Sequence, residues 1–302
     1  MESNNQTRSK NMNYIYNVEY FDWVELEKNN IDQVNAQICN FKFPQEQMFQ
    51  SLDQQGVYGK YLSFDLYTMY PGLLIGTGNL HDIRADGAYK LGFSFDYVNG
   101  LPYLPGSSLK GLLRSVFPSQ HLKTNKEGYV CYLTGMLEDI KEGTYLEEQI
   151  DQLERAIFDY QDVFLGAYPV TENADRSYLA TEYVTPHKEL KNPNPISFVK
   201  VKPNVCFRFH FLLRDNEVLT AEEQLKLFKN LILEFGVGAK TNVGFGKFSE
   251  KKNNEQLHIE KAPNNDSHPM NRQNNQHYSN GKRANNSYSN HNSYGNHNNR
   301  HK

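Results

Sequence analysis

Two segments far apart in the chain combine glycines with hydroxyl and cationic side chains, the residue types that hold a phosphate. The first is Gly106-Ser107-Ser108-Leu109-Lys110-Gly111-Leu112-Leu113-Arg114. It opens a helical pattern, and a helix N-terminus with hydroxyls and two nearby cations, Lys110 and Arg114, is a competent anion site. The second is Gly236-Val237-Gly238-Ala239-Lys240-Thr241-Asn242-Val243-Gly244-Phe245-Gly246. Gly236, Gly238, Gly244 and Gly246 carry no Cβ, so backbone N–H groups can approach a phosphate closely, and Lys240 adds a point charge beside Asn242.

Neither segment completes a nucleotide motif. Gly106 to Gly111 has the spacing of a P-loop, but Leu112-Leu113 stand where a Lys-Ser/Thr pair is required. The glycine pairs starting at 76, 236 and 244 are followed in the sixth place by His81, Thr241 and Ser249, so no GxGxxG fingerprint exists. Other polar residues are scattered: His81, Asp82, Arg84, Asp86, His187 and His210. His81-Asp82 matches the dipeptide of HD phosphohydrolases, too short a match to assign chemistry. His210 alternates with phenylalanines and can face solvent, and no nucleophile elbow is present. Catalysis is therefore not expected.

The elements that must position these residues follow from hydrophobic period. Ile31, Val34 and Ile38 give a first helix; Leu62, Phe64 and Leu66 alternate as a strand; Leu73–Ile75 and Tyr89–Val98 read as extended. Leu109, Leu112, Leu113 and Val116 fall on one face of the helix that Ser107 or Ser108 is expected to cap. Thr144 and Glu147 form a capping box for a helix running through Tyr160, read as an insertion. Strands at 163–168 and 181–185 follow. A hairpin is expected between Val199-Lys200-Val201 and Val205–Phe211 around Pro203-Asn204. Thr220 and Glu223 form a second capping box, Gly236 stops that helix, and Phe245–Phe248 closes the fold. Without insertions the order is β–α–β–β–α–β, an α+β ferredoxin-like (split βαβ) plan, with helical and hairpin insertions.

Composition sets the limits. Residues 251–302 contain 15 Asn and 6 His with almost no aliphatic side chains, and are expected to be disordered, as is the polar lead 1–13; the ordered domain is 14–250. The tail histidines amid Asn and Ser could bind metals weakly, but a solvated extension with a slight positive charge is the favoured reading, and no metal or cofactor is expected. The whole chain carries −3, but 251–302 carries +5, leaving −8 for 1–250 from 24 basic and 32 acidic residues. Such a body meets a polyanion through a local patch and not through a global field. Cys39, Cys131 and Cys206 lack paired spacing, no apolar run spans a membrane, and the N-terminus lacks a signal-peptide core. A cytoplasmic setting is expected.

Taken in order, these motifs resemble the RAMP superfamily of CRISPR proteins. Tyr103-Leu-Pro105-Gly-Ser-Ser-Leu-Lys-Gly-Leu-Leu-Arg114 looks like its first-helix signature, and Gly236 to Gly246 is similar to its glycine-rich loop before the final strand. Asp162-Val-Phe-Leu-Gly-Ala-Tyr-Pro169, Thr185-Pro-His187 and Asn194-Pro-Ile-Ser-Phe-Val-Lys-Val201 resemble the sixth-subunit family of type III-B (Cmr) effector complexes. The resemblance implies a ferredoxin-like, RRM-related domain in a non-catalytic subunit that holds the 3′ part of a guide RNA (crRNA) beside other Cmr RAMP subunits, with target RNA in the assembled complex, in antiviral defence. It places Arg84, Gly106, Ser107, Ser108, Lys110, Arg114, His187, Gly236, Gly238, Lys240, Asn242, Gly244 and Gly246 at the RNA. The alternative is an endoribonuclease on the same fold using His81, Asp82, Asp86 or His187. The aspartate of the RNA-cleaving RAMP subunit lacks its sequence context between Gly76 and Gly87.

Overall fold

A computed structural model describes residues 10–45, 49, 55–56, 59–79, 81–121, 124–170, 176–184 and 195–252. All lie within one compact unit, Met1–Lys261. The tail beyond 252, most of the lead and the segment holding His187 fall outside the described residues. Asn11 and Met12, read from sequence as lead, cap and open the first helix: Asn11 accepts from the amides of Asn13 and Tyr14, and Met12 is fully buried.

The N-terminal helix runs as α1 (Met12–Tyr14), a π-helical segment (Ile15–Glu19) and α2 (Tyr20–Leu26), followed by α3 (Ile31–Cys39). Met12, Ile15, Tyr16, Tyr20 and Val24 make its buried stripe. The short β1 (Gln55–Gly56) and long β2 (Gly59–Thr68) come next, and then a stretch without named strands to α4 (Gly106–Ser115). Leu73, Phe95 and Leu104 make isolated bridges there, so the extended segments expected at 73–75 and 89–98 are loop backbone pinned at single points.

The helices α5 (Lys126–Ile140) and α6 (Glu147–Arg155) precede β3 (Val163–Pro169), β4 (Leu179–Val184), β5 (Ile196–Val201) and β6 (Cys206–Leu213). The chain then forms α7 (Ala221–Phe235) and β7 (Phe248–Ser249). The main sheet is antiparallel, with β6 between β2 and β3, and β1 and β7 both paired to the far edge of β2. Phe207, Phe209 and Phe211 alternate toward the helices, and Phe211 meets Phe228 of α7 at 5.4 Å between ring centroids. The molecule is thus α+β.

The hairpin expected between β5 and β6 does not form. Both edges of β6 are occupied, by β2 and β3, while β5 pairs with β4 in a separate two-stranded sheet. Pro203-Asn204 marks a passage between sheets: the Asn204 amide donates to the Thr68 carbonyl at 2.7 Å, and Asn204 takes a φ of 61°. The cap of α6 also moves. Leu146 is the N-cap, and its amide donates to Gln149 Oε1 at 2.9 Å; leucine has no side-chain acceptor to return the bond, so the 144/147 box is replaced by this one-sided cap. Tyr145, 8% exposed, sits just before it in the core. The Thr220 box of α7 forms as expected, with Glu223 N–H donating to Thr220 Oγ1 at 3.2 Å and Thr220 N–H to Glu223 Oε2 at 2.8 Å.

Candidate nucleic-acid interface

The segment 72–75 is the spine on which the site is built. Leu73 exchanges both backbone hydrogen bonds with Val201 of β5, at 3.1 and 2.9 Å. On the same segment Gly72 accepts from the Gly246 amide at 2.8 Å and Leu74 from the Ala239 amide at 2.8 Å, which seats the glycine-rich loop. Val237 donates to Gly246 at 2.9 Å and closes the loop on itself. Further along, the Ser94 amide donates to Ile75 at 3.2 Å and sets the 76–79 turn against the 92–95 segment. The Leu104 and Ala167 amides and carbonyls pair reciprocally at 2.9 Å, delivering α4 to its place across β3.

Between these pieces lies an open cleft of ≈ 620 Å³. One wall is Ile75 to Asn79 with Ser94, a second is Pro105, Ser108, Gly111 and Leu112 of α4, and a third is Gly236 to Ala239 with Thr241. The two glycine-bearing segments singled out in the sequence therefore converge on one cleft. No lining side chain is charged. Lys240, exposed and left-handed at φ 59°, lies between two lining residues and brings the nearest loop cation to the rim. The Gly238 and Thr241 amides have no acceptor among the described residues. Pro105 and Ser108 at the N-terminus of α4 border the same cleft; the Ser108 and Leu109 amides are taken by the Pro105 carbonyl at 2.9 and 3.2 Å, so the helix offers the cleft the positive end of its dipole and the Ser108 hydroxyl.

Several sequence expectations change in detail. Ser107 and Ser108 do not cap α4. Pro105 is the N-cap with no side-chain cap, and both serines stand exposed in the first turn, Ser108 toward the cleft. Arg114 turns away from the cleft: its guanidinium pairs with Glu154 at 3.3 Å and Asp159 at 3.0 Å and lies over the Phe158 ring. Glu154 is 3% exposed, and an unpaired carboxylate there would carry a desolvation penalty, so Arg114 ties α4 to the α6 region. Lys110 does not line the cleft; it is among the charges acting on Asp162. Burial pushes the Asp162 carboxyl up to about 7, opposed by the Arg214 amide, which donates at 3.0 Å, and by Arg214 and Lys110 charges. Arg84 lies in a separate hollow with Asp82, Asp86, Glu25 and Lys28. Asn242 is exposed beyond the third wall, and Gly244 turns at φ 97° against Pro71.

The glycines divide into two kinds. A Cβ at Gly106 would lie 1.8 Å from the Phe164 carbonyl oxygen, at Gly236 2.6 Å from that of Gly246, at Gly238 2.4 Å from that of Leu74, and at Gly246 2.0 Å from that of Val237. These four let the protein's own backbone close up, the architectural use of glycine. Gly78 and Gly111 are different: a Cβ on either meets nothing within 4 Å, neither takes a positive φ, and both line the cleft. Gly111 even sits inside a helix, where glycine costs about 1 kcal/mol against alanine. Nothing within the chain requires them to lack a side chain. Gly78, Thr77, Asn79 and Ser94 lie outside the two segments singled out in the sequence, and Gly111 and Thr241 lie within them without having been assigned as contacts; the mid-helix position of Gly111 was the available signal.

His81 and His210 are structural, while His187 lies outside the described residues. His81, 3% exposed, lies between two carbonyls, Nδ1 2.9 Å from Tyr89 O and Nε2 3.0 Å from Tyr16 O, and stacks on the Tyr16 ring at 4.2 Å. Burial lowers its pKa. His210, which can face solvent by its alternation, is 1% exposed because Phe49 covers it at 4.2 Å and Tyr61 OH bonds Nδ1 at 2.6 Å. Among the described residues no group of three His, Cys, Asp or Glu is arranged to hold a metal, and no helix is long and apolar enough to cross a membrane.

The family model described as RAMPs, the RAMP superfamily, matches residues 65–249. The chain is 26% identical over 229 residues to the CRISPR system Cmr subunit Cmr6 of Pyrococcus furiosus, covering 59% of this chain and 65% of the relative. It is 24% identical over 176 residues to the Cmr6 subunit of Saccharolobus solfataricus, covering 54% and 50%. The chain thus matches half to just under two thirds of the length of these relatives. Among solved structures, a chain of the cryo-EM structure of the type III-B Cmr-beta bound to cognate target RNA shares the fold at a TM-score of 0.52 and 22% identity, covering 76% of this chain and 73% of that one.

Proposed function

The chain belongs to the RAMP superfamily, and on that premise we propose that it is a non-catalytic, cytoplasmic subunit of a type III-B (Cmr) CRISPR effector complex that holds the 3′ part of the crRNA for antiviral RNA targeting. Other Cmr RAMP subunits and target RNA are its partners in that assembly. The sheet order β7–β2–β6–β3, with α4 and α7 as crossovers, supports a ferredoxin-like βαββαβ core.

The observation that carries the reading is the cleft where α4 and the glycine-rich loop meet, floored by two glycines the fold itself does not need. Free amides, hydroxyls of Thr77, Ser94, Ser108 and Thr241, and a helix N-terminus grip a sugar-phosphate strand without reading its bases. A guide holder has that requirement, since base pairing supplies recognition. The acidic body is no obstacle, because the grip is local.

Among the described residues the hydrolytic alternative finds no assembled site: His81 is enclosed between carbonyls, and Asp82 and Asp86 line a different hollow; His187 lies outside those residues. The test is purification of the tagged full chain from its native host. Short RNAs with a common 5′ segment and several protein partners are expected, and Gly111→Glu should lose the RNA. Recovery of an RNA-free monomer overturns the reading. Cleavage of single-stranded RNA that disappears in Asp86→Ala overturns its non-catalytic part.

A further inference from the structure

The cleft does not end at Asn79 and Ser94. Both residues also line a second hollow, of ≈ 660 Å³, whose other walls come from the N-terminal helix and the 93–103 segment. Its lining is uncharged and rich in tyrosine and asparagine, a chemistry unlike that of the first cleft. Tyr14 is 50% exposed and Tyr97 85%, and both border the hollow. Neither ring is used by the core, which the same helix reaches through Met12, Ile15 and Tyr16.

We propose that this hollow is a nucleobase site, in which bases of the single strand leaving the phosphate cleft stack on Tyr14 and Tyr97. The inference rests on the RNA-holding reading of the first cleft and adds to it a place for the bases. The tyrosine turn is held ready for that role. Asn11 Nδ2 donates to the Tyr97 and Val98 carbonyls at 2.9 and 3.2 Å, and the Val98 and Asn99 amides donate to Asp96 Oδ1 at 2.9 and 3.0 Å. Tyr103, also on the rim, is fixed by stacking on Tyr168 at 5.5 Å. A turn whose backbone is fixed in advance loses less entropy when a base stacks on the ring it presents.

Polar recognition is available beside the rings. Asn17 Nδ2 donates to Asn13 Oδ1 at 2.9 Å, which leaves Asn17 Oδ1 as an acceptor and Asn13 Nδ2 as a donor with no partner among the described residues. A donor and an acceptor on adjacent carboxamides match the edge of an unpaired base. The lining supplies rings and carboxamides where the first cleft supplies glycine-loop amides and hydroxyls, which suits a base better than a second phosphate, and its lack of charge gives no purchase to a charged peptide. Its continuity with the first cleft selects RNA over an uncharged peptide of a neighbouring subunit.

The test uses the full chain, a uridine oligomer, the same oligomer with abasic positions, and a 5-iodouridine oligomer for photo-crosslinking. Tyr97→Ala and Tyr14→Ala should each weaken the uridine oligomer about tenfold, the range of one base–aromatic stack. They should leave the abasic oligomer unchanged, and Tyr97→Phe should restore binding. Crosslinks should map to Tyr14 or Tyr97. Alanine variants that bind both probes like the wild type, or crosslinks confined to residues outside the hollow, overturn the base site while leaving the cleft reading intact. Gly111→Glu should weaken both probes equally; if it does not while the tyrosine effects persist, the cleft reading fails instead. Failure of the wild type to bind either probe overturns both.

Discussion

Replacing Gly111 by alanine should move stability and RNA binding in opposite directions. The residue lies in the interior of α4 with helical backbone, and an added Cβ meets nothing within 4 Å. Glycine to alanine at such a position gains about 0.5–1 kcal/mol, chiefly by reducing the freedom of the unfolded chain. No clash subtracts from that gain here. For a domain of roughly 150–250 residues about 1 kcal/mol corresponds to about 2–4 °C, so a rise of a few degrees in the melting temperature is expected. The same methyl group projects from a cleft wall, where it holds a sugar-phosphate strand off the helix backbone, so affinity for single-stranded RNA should fall, and fall further in Gly111→Glu. Circular-dichroism melts and fluorescence anisotropy on the same preparations measure both effects. Gly238→Ala is the contrast: its Cβ would lie 2.4 Å from the Leu74 carbonyl oxygen at a φ of 99°, so it should lower the melting temperature. The reasoning is refuted if Gly111→Ala destabilises the protein, or if neither Gly111 variant alters RNA affinity.

Four further outcomes follow from side chains away from that wall. Burial, with Arg208 adding to it, holds the His210 imidazole down at about 4. An unfolded histidine, near 6.5, takes up a proton that the folded one refuses, so stability should decline by about 3 kcal/mol as pH falls from 6.5 to 4. His210→Phe should flatten that decline, and an unchanged acid limb would contradict the assignment. Asp162 is the mirror case: with its folded pKa raised to about 7, its stabilising effect is present at low pH and lost as pH rises through 7. Asp162→Asn keeps an acceptor for the Arg214 amide and should gain on wild type as pH rises from about 4 to 7, so that its melting-temperature advantage is larger at pH 8 than at pH 4. Arg114→Ala uncovers the buried Glu154 carboxylate and should cost about 1–3 kcal/mol, less than a fully buried pair because Arg114 stays partly exposed, with no loss of RNA affinity in the folded fraction. Lys240→Ala should lower the salt dependence of RNA binding by about one counterion, whereas Lys110→Ala should leave it unchanged.

What the sequence made readable was local. The Thr220 box and its apolar stripe define α7 because both signals lie within one segment, and β2 and β6 declare themselves by alternation. Alternation, however, says which residues face the core and not which strand lies alongside. Val199–Val201 and Phe207–Phe211 look like one hairpin, yet their neighbours come from β4, β2 and β3. The helix α5 escaped attention although Asn125 caps it, accepting from Gly128 at 3.2 Å, and Tyr129, Leu133, Met136, Leu137 and Ile140 recur at helical spacing. Gly128 and Gly135 weaken its propensity enough to hide the period. At the site, the convergence of the segments around 108 and 241 was anticipated, but only through the order of motifs shared with a family. The partners of Arg114 lie 40 and 45 residues away, and no local rule assigns them.

The glycine-rich loop shows why composition alone misleads about binding. Four glycines in eleven residues suggest a surface shaped for a ligand, but Gly236, Gly238 and Gly246 face backbone oxygens of the protein at distances that exclude any Cβ. Their role is to fold the loop tightly onto the 72–75 spine, and its Gly238 and Thr241 amides are left free at the cleft as a result. The glycines left open to the cleft are instead Gly78 and Gly111, one in a turn and one in a helix, each inside a quoted motif but neither the position the motif's spacing made prominent. Substitution should therefore separate them: alanine at 236, 238 or 246 lowers stability first and binding only through it, while alanine at 78 or 111 spares stability and acts on binding directly. A chain with a net acidic body needs that second kind of position, because without a long-range field the strand is held only where it touches.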